Sequence, residues 1–210
     1  MWSIKVPYIK NVSLSTIPEK CVKIHLKSHN WSDQYSYFPD VLVNLWHDNE
    51  TLFINYEVLE KEILGITEED NGNVYKDSCT EFFLAFDDNG YYNIEANCIG
   101  TLLMSHRKGR KVDVQYAPPD ILNGIERESS LGRKRRGLEV LNDIWTLTLK
   151  IPISSFFKHK ISSLKGMKAK CNFYKCGDNL PSPHYISWKP ILTDTPDFHR
   201  PEFFGEIIFD

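Results

Sequence analysis

The sequence contains no apolar run approaching the roughly 18–20 residues that a bilayer-crossing helix needs, which excludes a helical membrane span. Neither sign of charge dominates, with 25 Lys and Arg against 28 Asp and Glu. A net charge of −3 gives no electrostatic case for nucleic acid or for an anionic membrane surface. Phosphate-cradling loops of the G-x-x-x-x-G-K-[ST] or G-x-G-x-x-G type are missing, as is the G-x-S-x-G nucleophile turn. No C-x-x-C occurs, which removes the usual zinc and thioredoxin-like spacings. The first residues, Met1-Trp-Ser-Ile-Lys-Val-Pro-Tyr8, have neither the apolar segment nor the small-residue cleavage site of a secretory leader.

Cysteine is present but odd in number. Cys21, Cys79, Cys98, Cys171 and Cys176 cannot all pair within one chain, and Cys79, Cys98 and Cys171 fall inside apolar, strand-like runs. There a free thiol behaves as a small hydrophobe. Buried free thiols are therefore expected, which leans the localisation toward a reducing, cytoplasmic compartment.

Alternation with a period of two dominates what is there. Val22–Lys27 alternates strictly, and Val41–Trp46 and Thr51–Val58 flank a His-Asp-Asn-Glu turn. Thr80–Phe86 and Tyr91–Ile99 flank Asp87-Asp88-Asn89-Gly90, read as a hairpin turn because a calcium loop needs spaced acceptors and a distal glutamate. Trp145–Ile151, Lys168–Tyr174 and Phe203–Phe209 supply three more strands. Helix signals are limited to Pro119–Arg127 and Ser154–Lys160. The expected fold is all-β: an antiparallel β-sandwich of two sheets, jelly-roll or immunoglobulin-like, with few short helices. No internal repeat or linker divides residues 1–210, which read as one domain. Ser105–Asn142 is expected to form excursion loops at one end, with Arg133-Lys-Arg-Arg136 as a solvated tip.

The second hairpin carries the chemistry. Tyr75 precedes Glu81 by six residues, and Asn93, Glu95 and Asn97 recur at every second position of the following strand. Amides, carboxylates and a neighbouring aromatic face suit a polyhydroxylated ligand such as a sugar. A carboxylate among the apolar neighbours of Glu81 needs partners if it is buried. Downstream, a proline-stiffened loop leads into His184 and Trp188, candidates for a binding rim. His25 and His29 read as surface residues. Hydrolysis requires two carboxylates roughly 5–9.5 Å apart. Asp77 and Glu81 on one extended strand would be about 13 Å apart, whereas Glu81 and Glu95 could meet across the hairpin if the register allows it.

Lys5-Val-Pro-Tyr8, Tyr75-Lys-Asp-Ser-Cys-Thr-Glu-Phe-Phe83, Tyr91–Gly100, Asn172–Asp178, His184-Tyr-Ile-Ser-Trp188 and Pro196–Gly205 together resemble carbohydrate-binding module family nine, in particular the single-domain forms of gut Bacteroidetes. The resemblance implies a β-sandwich that binds terminal sugars of plant-type poly- or oligosaccharides without catalysis, in support of carbohydrate catabolism and beside a glycoside hydrolase. It further implies two aromatic rings around the sugar, here Tyr75 and Trp188, with Glu81 beside them. Asn97 or His184 would stand in for the family's amide, because Tyr185 occupies the position three residues before Trp188. Arg107 or Arg110 would supply the arginine. A structural calcium and an exported location are compatible with the family, although no calcium ligand set transfers to this sequence. The alternatives are a glycoside hydrolase using Glu81 with a second carboxylate, and a haem-binding redox sandwich, for which the internal methionines are Met104 and Met167.

Overall fold

The computed structural model describes residues 2–10, 13–14 and 16–210. Alternating apolar residues give β1 (Ser3–Val6), β2 (Val22–His25), β3 (Ser28–His29), β4 (Asp40–His47), β5 (Thr51–Gly65), β6 (Cys79–Asp87), β7 (Gly90–Asn97), β8 (Leu102–Arg107) and β9 (Gln115–Tyr116). A short helix, α1 (Pro119–Gly124), precedes β10 (Glu126–Ser129), β11 (Arg136–Pro152), β12 (Lys168–Cys176), β13 (Tyr185–Ser187) and β14 (Gly205–Phe209). Pro119 opens α1, where its missing N–H costs nothing. The expected second helix is only a single 3₁₀ turn, Ile153–Ser155.

The strands form two sheets packed face to face. One follows β1-β14-β12-β6-β7-β8-β9, with β13 on β12 and β3 on β13; the other follows β10-β11-β5-β4-β2. Pairing is antiparallel except for β1 with β14. The turn of the β6–β7 hairpin closes because Asp87 accepts the Asn89 N–H at 2.8 Å while Gly90 takes φ +144°. A Cβ at Gly90 would also meet the Arg107 carbonyl at 2.6 Å, so only glycine fits.

Strand parity divides the larger sheet into two differently used faces. Phe82, Leu84, Ile94, Ala96, Leu102, Met104, Cys171 and Phe173 point into the core shared with the smaller sheet. Cys79, Phe83, Tyr91, Leu103, Tyr174 and Cys176 point the other way. That outer face is not left to solvent: loops carrying Trp31, Val74, Ile191, Phe198 and Phe204 pack down on it. Trp31 donates to the Thr193 carbonyl at 2.7 Å, and Asn30 accepts the Ile191 N–H at 2.9 Å, stitching two of these loops together.

Two strands run further than their apolar patterns suggest. β5 and β11 stay paired past the Val58–Trp145 pair, with Leu59 opposite Ile144 and Val140 opposite Glu62. Leu59, Val140 and Ile144 are exposed there while Glu60, Ile63 and Leu64 of β5 are buried, so no regular apolar alternation marks the extension in the sequence. Ser105–Asn142 accordingly includes the end of β8, all of β9, α1 and β10, and the start of β11 rather than loops alone. Arg133, Lys134 and Arg135 are exposed, with the Arg133 guanidinium donating to the Ile99 carbonyl. Among the described residues no helix is long and apolar enough to cross a membrane.

Candidate functional site

Between the outer face of the large sheet and its covering loops lies a cavity of about 500 Å³. Its floor comes from adjacent strands: Glu81 on β6, Glu95 on β7, Leu103 and Arg107 on β8, and Cys176 on β12. The loops contribute Tyr75, Asp178, Phe198 and His199, β9 contributes Tyr116, and Tyr185 opens β13 at the rim. Glu81 and Glu95 are directly opposite each other in the β6–β7 register, so their side chains rise side by side.

Both floor carboxyls are almost fully enclosed, each residue being 4% exposed. Burial pushes Glu81 well above the usual carboxylate range, reinforced by the Cys176 thiol and the charge of Glu95. The Cys176 thiol donates to Glu81 Oε1 at 3.1 Å. Burial likewise raises Glu95, to about 7, against the pull of an Asn93 amide donating to it at 2.7 Å and of the Arg107 guanidinium. A polar chain holds Arg107 in place: its Nε donates to Ser105 Oγ at 2.8 Å, its Nη1 to the Arg110 carbonyl at 2.9 Å, and Ser105 in turn bonds Asn93. Arg107 is 6% exposed. His199, also at the wall, is driven down to about 3 by burial and by Arg107 and Arg110, so it is a neutral ring. Asp178 is raised by burial but drawn back by the Tyr185 hydroxyl.

Of the residues singled out in the sequence, Tyr75, Glu81, Arg107 and Arg110 line this cavity, Arg110 from an exposed position 3.8 Å from Asp197. Three others lie elsewhere. Trp188 is 7% exposed and belongs to the core between the sheets, edge-on to Trp2 and near Phe173. Its ring sits so close to Gly205 that a Cβ there would come within 2.5 Å. The reason is parity: Tyr185 faces outward opposite Cys176, so Trp188, three residues on, faces inward. His184 is fully buried between the sheets, its Nε2 2.8 Å from Lys175 Nζ; burial and that ammonium hold the imidazole well below its ordinary value. Lys175 in turn meets Glu60 of the opposite sheet at 2.9 Å, and Trp145 Nε1 donates to the other Glu60 oxygen at 2.7 Å. Asn97 is structural as well. Its amide donates to Asp77 and to the Thr67 carbonyl, and its oxygen accepts the Thr101 N–H, tying the end of β7 to the loop that carries Tyr75.

Tyr185, Asp178, Phe198 and Tyr116 also line the cavity, although no spacing or motif in the sequence marks them. Tyr185 is the ring that faces the cavity where Trp188 was expected. It is buttressed edge-on by Tyr35 at 4.8 Å, with Trp31 and Phe198 close by. Its place in a three-residue strand gives too short an alternation to assign a face.

The haem reading fails on placement: Met104 is buried in the inter-sheet core and Met167 packs against it, so neither reaches the cavity. Calcium takes six to eight oxygen ligands. Among the described residues the side chains that converge closely enough for a metal are Cys79, Glu81 and Cys176, a thiol-rich set that does not fit calcium.

Comparison with curated proteins finds no match. Among solved structures, a candidate carbohydrate-binding protein from Bacteroides uniformis is 34% identical, with 99% of each chain covered and a TM-score of 0.91. A carbohydrate-binding module of family 9 from Caldicellulosiruptor kristjanssonii in complex with cellotriose shares the fold, at 15% identity and a TM-score of 0.61 over 99% of this chain and 93% of that one. The glucose complex of such a module from the same organism gives 16% identity and a TM-score of 0.60, over 99% and 95%. The sequence matches carbohydrate-binding family 9 along residues 12–209, and the chain belongs to that family.

Proposed function

We propose that the chain binds the terminal unit of an oligo- or polysaccharide in the Tyr75–Tyr185 cavity without catalysis, in support of glycan breakdown beside a separate glycoside hydrolase. The observation that carries this reading is the convergence, in one cavity, of two enclosed carboxyls, the fixed Arg107 guanidinium and tyrosine rings. Pyranose rings present a C–H face that water solvates poorly. If a tyrosine covers roughly 50 Å² of it, the gain is about 1 kcal/mol at ~25 cal/mol per Å². Hydroxyl contacts to charged groups add about 1.5–3 kcal/mol each before association costs. Millimolar to micromolar affinity follows, roughly −4 to −8 kcal/mol. Loops around the floor favour a chain end over a strand passing through. Glucose and cellotriose, the ligands of the related modules, are the first sugars to try.

The test is calorimetric titration with glucose, cellobiose, cellotriose and borohydride-reduced cellotriose. Saturable heat with cellotriose, weakened by reduction of its end ring, supports the proposal; no heat with any sugar across a broad array refutes it. A hydrolytic reading keeps one observation in its favour, the direct pairing of Glu81 with Glu95. The two carboxyls rise from one floor rather than from facing walls, which suits multidentate hydrogen bonding better than attack from opposite sides of a glycosidic bond. Turnover of an aryl glucoside that disappears in Glu81→Gln would reverse that preference.

A further inference from the structure

At the cavity floor, two thiols and a carboxyl converge. Cys79 and Cys176 are directly opposite in the β6–β12 pairing, and Glu81, two residues along β6 from Cys79, shares their face. The two thiol sulfurs and a carboxylate oxygen all lie within 4.8 Å of one another. Cys176 and Glu81 also line the cavity, while Cys79 is fully buried behind them. We propose that Cys79, Cys176 and Glu81 form a site for a thiophilic divalent cation of the zinc type, with its fourth position open to the cavity.

The geometry is near what such an ion requires. Tetrahedral zinc with Zn–S of about 2.3 Å places two sulfurs about 3.8 Å apart. The present spacing therefore asks only for side-chain adjustment, on strands whose pairing already fixes the backbone. Two sulfurs and one oxygen select zinc or cobalt(II) over magnesium or calcium, which prefer all-oxygen shells. Three protein ligands plus one open position is the pattern of a reactive or ligand-exchanging zinc rather than a closed structural one. The cavity supplies the entry path.

The proton balance is explicit. Without metal the cluster is held by protons. The Cys176 thiol donates to Glu81 Oε1 at 3.1 Å, a contact made by the protonated sulfur. A divalent cation entering from solvent would displace one proton from each thiol and whatever proton Glu81 retains. The resulting tricoordinate centre carries a charge of −1 and takes a water, or a hydroxyl from the cavity, as fourth ligand. Affinity should rise steeply with pH, because each bound ion releases at least two protons. This site does not depend on the sugar-binding reading, since the ion alone is the probe.

The test uses the whole chain, fully reduced and stripped of metal with a chelator. Stoichiometric cobalt(II) is added while the near-ultraviolet thiolate-to-cobalt charge-transfer band is followed, and protons released are counted with an indicator in weak buffer. The expected result is one cobalt per chain, a charge-transfer band, displacement by zinc and release of two to three protons. Cys79→Ser and Cys176→Ser should each abolish the band and weaken zinc binding by roughly 100-fold or more, while Cys21→Ser retains both. Absence of the band at one equivalent, or a band that survives either of the first two substitutions, overturns the proposal. Should those variants fail to fold, the parent protein decides: fewer than two protons released per cobalt, with no zinc-induced rise in melting temperature, overturns it equally.

Discussion

Replacing Tyr185 and Trp188 separately by alanine tests where the second aromatic wall of the cavity lies. Tyr185 is half-exposed at the rim and buttressed by Tyr35, so its loss removes ligand contact with little change to the core. About 50 Å² of sugar surface at ~25 cal/mol per Å² gives about 1 kcal/mol, and a lost hydroxyl contact adds about 1 kcal/mol. Together, about 2 kcal/mol corresponds to roughly 30-fold weaker binding. Trp188 is 7% exposed and jammed against Gly205, so Trp188→Ala opens a core cavity costing about 3–5 kcal/mol. For a chain of this size that lowers the melting temperature by roughly 6–20 °C, at 2–4 °C per kcal/mol. Binding by the folded fraction should be nearly unchanged. Cellotriose calorimetry well below the transition, paired with scanning calorimetry, measures both quantities. If Trp188→Ala loses affinity while folded and Tyr185→Ala binds like the parent, the assignment of the wall to Tyr185 is wrong.

The floor carboxyls make stability depend on pH in an unusual direction. Glu95 is raised from 4.5 to about 7, so the folded state holds a proton that the unfolded chain has released across that window. Glu95 alone therefore lowers stability by about 3 kcal/mol as pH rises from about 4.5 to 7, and Glu81, raised in the same direction, adds to the fall. Glu95→Gln should make that part of a melting-temperature profile shallower and raise the melting point at pH 8; an unchanged profile refutes the assignment. Lys175→Met strands the Glu60 carboxylate between the sheets and should cost about 3–5 kcal/mol in urea unfolding, while the double variant with Glu60→Gln recovers much of it. Equal losses in the single and double variants would show that the pair is not coupled. Gly90→Ala, at φ +144° with its Cβ against the Arg107 carbonyl, should cost more than the ~1 kcal/mol of an ordinary exposed glycine replacement, read from the same unfolding curves.

Much of the architecture was legible because each hairpin announces itself locally. Asp87-Asp88-Asn89-Gly90 lies between two alternating runs, and the observed turn uses the Asp87 carboxylate and the glycine as that pattern requires. The length of β5 and β11 was hidden because their outer portions break the apolar alternation: Val140 and Ile144 of β11 are exposed, and the buried positions of β5 are a glutamate, Glu60, then Ile63 and Leu64 side by side. The site was legible only in part. Tyr75 and Glu81, singled out by spacing, line the cavity, whereas Trp188 and His184, taken from a proline-stiffened loop, lie on the other side of the sheet, which chemical type does not reveal. Asn97 shares the outward face of Glu95 but is held at the strand end by Asp77, Thr67 and Thr101. The buried Lys175–Glu60 pair that claims His184 joins residues of different sheets, a long-range contact with no local signature.

Parity also explains why this sheet can carry a site at all. A sandwich usually needs only one apolar face per sheet, yet here β6, β7, β8 and β12 are buried on both sides. The inward positions Phe82, Ile94, Met104 and Phe173 secure the core, which releases the outward positions from that duty. At those outward positions the apolar Phe83, Tyr91 and Tyr174 anchor the covering loops, while Glu81, Glu95, Arg107 and Cys176 join Leu103 in lining the cavity that the loops enclose. The polar floor is therefore enclosed by the same loops that exclude solvent from its apolar surroundings, and that enclosure raises its carboxyls. Moving any of these four residues by one position would exchange floor for core, so substitutions that shift the β6–β7 register should cost the fold and the cavity together.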